Sequence, residues 1–238
     1  MERIAYGPDP SQFGELTRAA ANGDGPRIAV LVHGGFWRDR YDRTLMHRIG
    51  NDLAAAGWTT WNLEYRRLGS GGGFPATLED VAAGIDALAD VDGLDLGGRV
   101  VAIGHSAGGQ LAAWAATRDR PRVALTGVVA QAGVLDLELG HELGLSDGVV
   151  AQLMDGAPHE RPEAYASASP RARLPLGVPA LVVTGGADGV VPPRISREFA
   201  AAARAAGDDV VLHEEPGEEH MGHVEPGNPL WGAVRAWL

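Results

Sequence analysis

The chain has 238 residues, 45% of them hydrophobic and 21% charged, with a formal net charge of −11 and no cysteine. This length and composition fit one domain of moderate size with a full core. The acidic balance argues against nucleic acid, whose phosphates call for clustered positive charge, and the lack of cysteine excludes disulfides, thiolate catalysis and cysteine-ligated zinc.

No lysine occurs, so all 20 basic residues are arginine. With the abundant alanine and glycine this reads as genomic composition bias and carries no functional message. The opening Met1-Glu2-Arg3-Ile4-Ala5-Tyr6 lacks a charged region followed by a long apolar stretch, so no signal peptide is expected. No run approaches the roughly 18 apolar residues of a membrane helix. A cytoplasmic location, without membrane or nucleic-acid partners, is the expectation. A homodimer is compatible with the sequence, which does not fix the oligomeric state.

Short β-branched runs alternate with alanine-rich helical stretches along the chain, the pattern of a parallel sheet covered by helices. Residues 27–32 (Arg-Ile-Ala-Val-Leu-Val) read as a buried strand. A glycine-rich loop, His33-Gly34-Gly35-Phe36-Trp37, follows it directly. Residues 41–56 read as a helix stopped by Gly57, and 58–63 as the next strand. Residues 69–73 are glycine-rich, and Thr77 is a candidate cap for a helix over 78–89. Residues 99–103 (Arg-Val-Val-Ala-Ile) have strand character, 110–116 helical character, and 123–130 read as another strand. Residues 136–175 break the alternation and read as a cap-like insertion over the C-terminal edge of the sheet, with one short helix at 149–154. Inserted segments in that place often shape a substrate pocket; the alternative is a plain surface excursion. Alternation resumes with a strand at 180–184, a helix near 194–206, a strand at 210–213 and a last helix from Pro229. The expected fold is therefore a three-layer α/β/α sandwich with a mostly parallel central sheet, in one domain over 1–238.

Between the strand at 99–103 and the helix at 110–116 lies Gly104-His105-Ser106-Ala107-Gly108. Gly-x-Ser-x-Gly is weak in a chain with 34 glycines, and strong at a strand-to-helix turn. Such a turn lifts the Ser106 hydroxyl out of the sheet. It leaves no room for bulk at the flanking positions, and the following helix aims its N–H groups at the same point. Serine is a poor nucleophile without a base and a group that orients the base. Of eight histidines, His220 and His223 lie on the loop after the last strand, where sheets of this type build their sites. The two compete for the role of base. Asp188, in the turn Gly185-Gly186-Ala187-Asp188-Gly189 after an apolar strand, is the candidate acid, with Asp136 in reserve. The negative charge of the transition state needs N–H donors, each worth about 2.7–4 kcal/mol. The N–H of Ala107 is one candidate, and those of Gly35 and Phe36 are the others. His33 is expected to brace that loop. No cofactor and no metal is expected.

With these residues in hand, the chain resembles the α/β-hydrolases. More narrowly it resembles the esterase branch that includes kynurenine formamidase (arylformamidase) and small carboxylesterases related to hormone-sensitive lipase. The resemblance rests on Tyr6 to Gln12, on His33-Gly34-Gly35-Phe36-Trp37, on Glu64-Tyr65-Arg66-Arg67, on the stretch from Gly104 to Gly109, on Ser169-Pro170, on Asp188, and on the segment from Gly217 to Trp231. In that branch the C-terminal motif is Gly-x-Asp-His-Phe, which places His220 at the base and leaves Met221 as a departure from phenylalanine. The resemblance implies a hydrolase of small carboxylic esters or activated amides, working through an acyl-enzyme. Arylformamidase action on N-formylkynurenine is one alternative. A peptidase of the oligopeptidase type is a second, although 238 residues are not expected to hold its accessory propeller. A non-catalytic binding protein on a hydrolase scaffold is the third. Trp37 and Tyr65, with Phe36, either line an aromatic substrate pocket or pack in the core. Glu64 to Arg67 read as an ion-paired brace under the oxyanion loop, or Arg66 or Arg67 meets a substrate carboxylate.

Overall fold

The computed structural model describes residues 1–19 and 25–238. Its strands are β1 (Glu2–Ala5), β2 (Phe13–Thr17), β3 (Arg27–Val32), β4 (Thr59–Leu63), β5 (Arg99–His105), β6 (Gly127–Gln131), β7 (Ala180–Gly185) and β8 (Val210–Glu215). They form one sheet in the order β1-β2-β4-β3-β5-β6-β7-β8. β2 runs antiparallel to both of its neighbours. Every other pairing is parallel. The helices are α1 (His47–Ala55), α2 (Ala76–Asp86), α3 (Ala107–Ala116), α4 (Leu137–Glu142), α5 (Leu145–Met154), α6 (Pro162–Ala168), α7 (Pro193–Ala205) and α8 (Pro229–Trp237).

The two faces of the sheet follow from the period of two along each strand. Val30, Val32, Val100, Ala102, Val128, Ala130 and Val182 share one apolar cluster with Leu78 of α2, Leu111 of α3 and Phe199 of α7. Their neighbours Ala29, Leu31, Val101, Ile103, Val129, Leu181 and Val183 share the other with Ile49 of α1 and Trp231 of α8. Both faces are covered, which is why the central strands read as unbroken apolar runs. The result is the expected three-layer sandwich with a mostly parallel sheet.

Several elements differ from the sequence-based expectation. β1 and β2 were not anticipated. They form an antiparallel edge whose Glu15 is buried between Arg43 (2.7 Å) and His47 (2.8 Å). The helix expected over 41–56 begins at His47, after a single tight turn over Arg43–Met46 started by Asp42, which accepts from the Thr44 N–H. Thr77 does not cap from outside. It lies within the first turn of α2, where its hydroxyl donates to the Arg66 carbonyl at 2.7 Å. The strand expected over 123–130 begins only at Gly127, as β6; just before it Thr126 is tied to Val100 of β5 by its N–H and its hydroxyl.

Residues 136–175 hold α4, α5, α6 and a short turn over Pro170–Arg173. Leu137, Leu145, Val149, Val150, Leu153, Met154 and Tyr165 join the apolar cluster on the α3 side of the sheet. The segment is pinned to α3 by Gln110 donating to the Ala168 carbonyl (2.9 Å) and Trp114 donating to the Ser167 carbonyl (2.9 Å). Packing against the sheet's helices thus occupies much of this segment's apolar surface. Among the described residues no helix is long and apolar enough to cross a membrane.

Candidate active site

Ser106 sits alone between the end of β5 and the start of α3, with φ 57° and ψ −120°. That conformation is sparsely populated for a residue with a side chain and costs on the order of 1–3 kcal/mol. The Ser106 N–H is held by the Gln131 carbonyl of β6 at 2.8 Å. The flanking glycines are required by distance. A Cβ on Gly104 would lie 2.0 Å from the Gly108 carbonyl oxygen, and one on Gly108 would lie 2.0 Å from that of Val32. Backbone cannot yield as a side-chain tip can. Gly104→Ala is therefore expected to cost about 1–3 kcal/mol or more, seen as a lowered denaturant midpoint with activity lost alongside.

The loop after β3 approaches the serine just as closely. A Cβ on Gly34 would meet Ser106 Cβ at 2.9 Å. Gly35, Phe36 and Trp37 all have positive φ, at 108°, 52° and 56°. Among the described residues the N–H groups of Gly35, Phe36 and Ala107 donate to no protein acceptor. The strained loop is fixed from beneath. His33 binds Glu64 Oε1 at 3.0 Å and its own neighbour's carbonyl at 2.8 Å, and Tyr65 donates to the His33 carbonyl at 2.7 Å. Leu68 N–H holds the Trp37 carbonyl at 2.7 Å. Burial alone would lift the Glu64 carboxyl. The hydrogen bond and charge of His33, the charge of Arg67 and the N–H of Arg43 outweigh it and keep Glu64 below its ordinary range.

Asp188 and His220 meet. His220 Nδ1–H donates to Asp188 Oδ2 at 2.8 Å, and Asp188 Oδ1 accepts from the N–H groups of Val190 (2.8 Å) and Val191 (2.9 Å). Burial raises the Asp188 carboxyl, but His220 and these two N–H groups more than compensate, so it stays ionised below its usual range. With Nδ1 committed as donor, Nε2 of His220 is the nitrogen that can accept a proton. The two loops fit together because a Cβ on Gly185 would lie 2.3 Å from the Glu218 carbonyl oxygen. The competing His223 is fully buried, and among the described residues neither of its ring nitrogens has a partner. Burial first, then His105 and His220, push it well below the ordinary histidine range. Asp136 instead caps α4, accepting from Leu139 N–H at 3.1 Å.

Ser106, His220, Gly35 and Phe36 line one cavity of about 180 Å³, together with Tyr41, Leu45, His105, Val190 and Met221. A second depression of about 310 Å³ adjoins it across Val190, His220 and Met221, walled on the far side by Ala187, Gly189 and Glu219. No residue of 136–175 lines either space, so the expected pocket-shaping role of that segment is not what the structure shows. Trp37 and Tyr65 require the same correction. Both are fully buried and neither reaches the cavity. Trp37 donates to Gln110 Oε1 at 3.1 Å, and Tyr65 stacks on His33 with ring centroids 4.4 Å apart. Their polar ends are used to hold the loop, which leaves the rings in the core. Arg66 is paired with Asp80 (2.6 Å) and Arg67 with Glu64 (3.0 Å), so the brace describes these residues and the substrate-carboxylate contact does not. Tyr41, Leu45, Val190 and Met221 were missed from sequence. Three of them are exposed large hydrophobics, a property that only the folded surface reveals. Among the described residues no group of three His, Cys, Asp or Glu is placed to hold a metal ion.

Solved structures similar to this chain include a bifunctional GH43-CE protein and two esterases. A bifunctional GH43-CE protein of Bacteroides eggerthii superposes with TM-score 0.84 at 22% identity, over 98% of this chain and 34% of that one. This chain thus spans about a third of that protein. Esterase 2 of Thermogutta terrifontis with butyrate bound gives TM-score 0.74 at 22% identity, over 99% of this chain and 91% of that one. Esterase B of Lactobacillus rhamnosis gives 0.81 at 20% identity, over 99% and 82%. At these identities the likeness establishes the fold, the α/β-hydrolase fold. No curated protein matches the chain significantly. The family model described as the prolyl oligopeptidase family matches residues 64–230, well over half the sequence and including Ser106, Asp188 and His220. The chain belongs to the prolyl oligopeptidase family.

Proposed function

We propose that this protein is a serine hydrolase that cleaves small carboxylic esters through an acyl-enzyme. The observation that carries the reading is the 2.8 Å His220–Asp188 pair sharing a cavity with Ser106 on its strained turn. Ser106 Oγ attacks the ester carbonyl while His220 Nε2 takes the hydroxyl proton. Asp188 holds the imidazole and stabilises its cationic form. The N–H groups of Gly35, Phe36 and Ala107 receive the negative charge that develops on the carbonyl oxygen. His220 then returns the proton to the leaving alcohol, which departs as the acyl-serine forms. Water, deprotonated by His220, releases the acid and restores Ser106.

The cavity walls suggest which ester. Beyond Ser106, His105 and His220 they are aliphatic, aromatic or glycine, and among the described residues no carboxylate or guanidinium lines them, which suits an uncharged acyl chain. At about 30 Å³ for a water-sized group, 180 Å³ takes roughly six heavy atoms. The leaving alcohol is assigned to the adjoining depression, which shares His220, the proton donor. Glu219 there disfavours an anionic leaving group. The bound butyrate in the Thermogutta esterase is in keeping with a short acyl chain. The ester reading is preferred to arylformamidase because, of the three aromatics read as a candidate cradle for a kynurenine ring, Trp37 and Tyr65 are buried in the core, and Phe36 lines the cavity without them.

The test is kcat/KM on p-nitrophenyl esters from acetate to decanoate, beside N-formylkynurenine and a proline-containing peptide, with Ser106→Ala as control. Activity is expected to peak between acetate and hexanoate and to fall at least about tenfold by decanoate, one or two lost subsite contacts' worth of discrimination. Preference for the formamide or the peptide would overturn the ester assignment. Turnover retained in full by Ser106→Ala would assign the activity to a contaminant and overturn the role of Ser106.

A further inference from the structure

We infer that His105 is a positioning residue, whose ring fixes the main chain of the His220 loop against the nucleophile strand and the oxyanion loop. This rests on the roles given above to Ser106 and His220. His105 is the last residue of β5, one position before the serine. Its Nε2–H donates to the main-chain carbonyl of His220 at 3.0 Å. Its ring centroid lies 4.6 Å from that of His220 and 5.8 Å from that of His223. On the other side it abuts the oxyanion loop, where a Cβ on Gly34 would come within 3.1 Å of His105 Nδ1. One buried ring therefore touches all three segments that must be in register for acyl transfer.

A plain core filler does not account for this side chain. Its Nδ1 is buried with no partner among the described residues, a cost that an apolar residue of the same volume would avoid. What the histidine adds over such a residue is the single bond to the His220 carbonyl. The titratable groups facing it are His220, His223 and Asp188. Burial first, then the His220 charge, push His105 down to about 3, so it remains neutral. That neutrality matters, because a cation at this place would oppose the imidazolium that forms on His220 during the reaction.

The test compares His105→Leu, which loses the donor, with His105→Gln, whose amide nitrogen reaches the same place. Both are measured per active site titrated with a fluorophosphonate, and both are scanned for the low-field proton of the His220–Asp188 hydrogen bond. The leucine variant is expected to lose at least tenfold in kcat with KM within twofold, and its low-field proton to broaden. The glutamine variant is expected to retain at least half of kcat and a sharp signal. Where the leucine variant does not fold, His105→Asn, too short to reach the carbonyl, takes its place with the same expectation. Two results overturn the inference. One is kcat per site of the leucine or asparagine variant within twofold of the parent, with the low-field proton intact. The other is a glutamine variant as impaired as the leucine one. If the parent neither turns over esters nor takes the label, the hydrolase reading fails, and the low-field proton still reports whether His105 holds His220.

Discussion

Replacing Ser106 or His220 by alanine is expected to lower kcat on a short-chain ester by about 10⁴–10⁶-fold, with little change in KM. The size follows from what each residue does. Without Ser106 no acyl-enzyme forms, and without His220 no group in the cavity can accept the serine proton. The neighbouring histidines cannot substitute. His105 has a free Nδ1, but burial holds it down to about 3, too weak a base to take the serine proton, and among the described residues no carboxylate bonds the ring of His223. Asp188→Asn is expected to cost about 10⁴, because the amide favours the wrong tautomer of the base. His223→Ala is expected to leave kcat within about tenfold, since its ring meets neither Ser106 nor Asp188 by any hydrogen bond. The reverse order of severity between His220 and His223 would move the base to His223. Steady-state kinetics on p-nitrophenyl butyrate with each purified variant distinguishes the two.

Acidification is expected to unfold the protein well before its carboxylates are all protonated. His105 and His223 are both buried as neutral rings, with proton affinities far below that of a histidine in an unfolded chain. Between about pH 6.5, where an unfolded histidine titrates, and about 3, where His105 titrates in the fold, the unfolded chain binds protons that the folded one does not. Stability therefore rises with pH across that window and is lost as pH falls. Once pH is below the unfolded value, His105 contributes about 1.4 kcal/mol per pH unit, and His223 adds a loss of the same sign. Against a typical total of roughly 5–15 kcal/mol, two or three units of acidification remove a substantial part of the margin through His105 alone, about 3–4 kcal/mol. Asp188 and Glu64, held below the usual carboxylate range, add a loss of the same sign at lower pH, below about 4. Urea midpoints at pH 7, 6, 5 and 4 check this. His105→Gln, which cannot titrate, is expected to lower the slope between pH 6 and 4 by about 1.4 kcal/mol per pH unit. A midpoint unchanged from pH 7 to pH 4 would show that these histidines are not held neutral.

What could be read from sequence was local. Gly104 to Gly108 is legible because the turn's demands fall on five consecutive residues, and the glycines stand where a Cβ would strike a carbonyl oxygen at 2.0 Å. The alternation of Val30, Leu31 and Val32 between the two faces of the sheet is equally local. Asp188 and the competing pair His220 and His223 could be placed by the order in which strands and loops must occur; the resemblance to the esterase branch favoured His220, and the structure brings the side chains of Asp188 and His220 together. The walls of the cavity were not legible. Tyr41, Leu45, Val190 and Met221 come from three separate loops, and no spacing in the chain relates them. Trp37 and Tyr65 misled for a related reason. An aromatic beside a catalytic motif can face the substrate or support the loop from below, and only the partners of its polar end, Gln110 and His33 here, decide which. β2 escaped notice because its Gly14 and Glu15 look unlike a buried strand. The glycine makes room for the Trp61 ring, and the glutamate is neutralised by Arg43 and His47 from elsewhere in the chain.

The claim on which the rest depends is that Ser106 is an activated nucleophile. It is tested most directly by treating the protein with a fluorophosphonate and mapping the adduct by mass spectrometry. The predicted result is one stoichiometric adduct on Ser106, formed quickly by the parent and about 10³-fold or more slower by His220→Ala. No adduct, an adduct on another residue, or equal rates in parent and variant would contradict it.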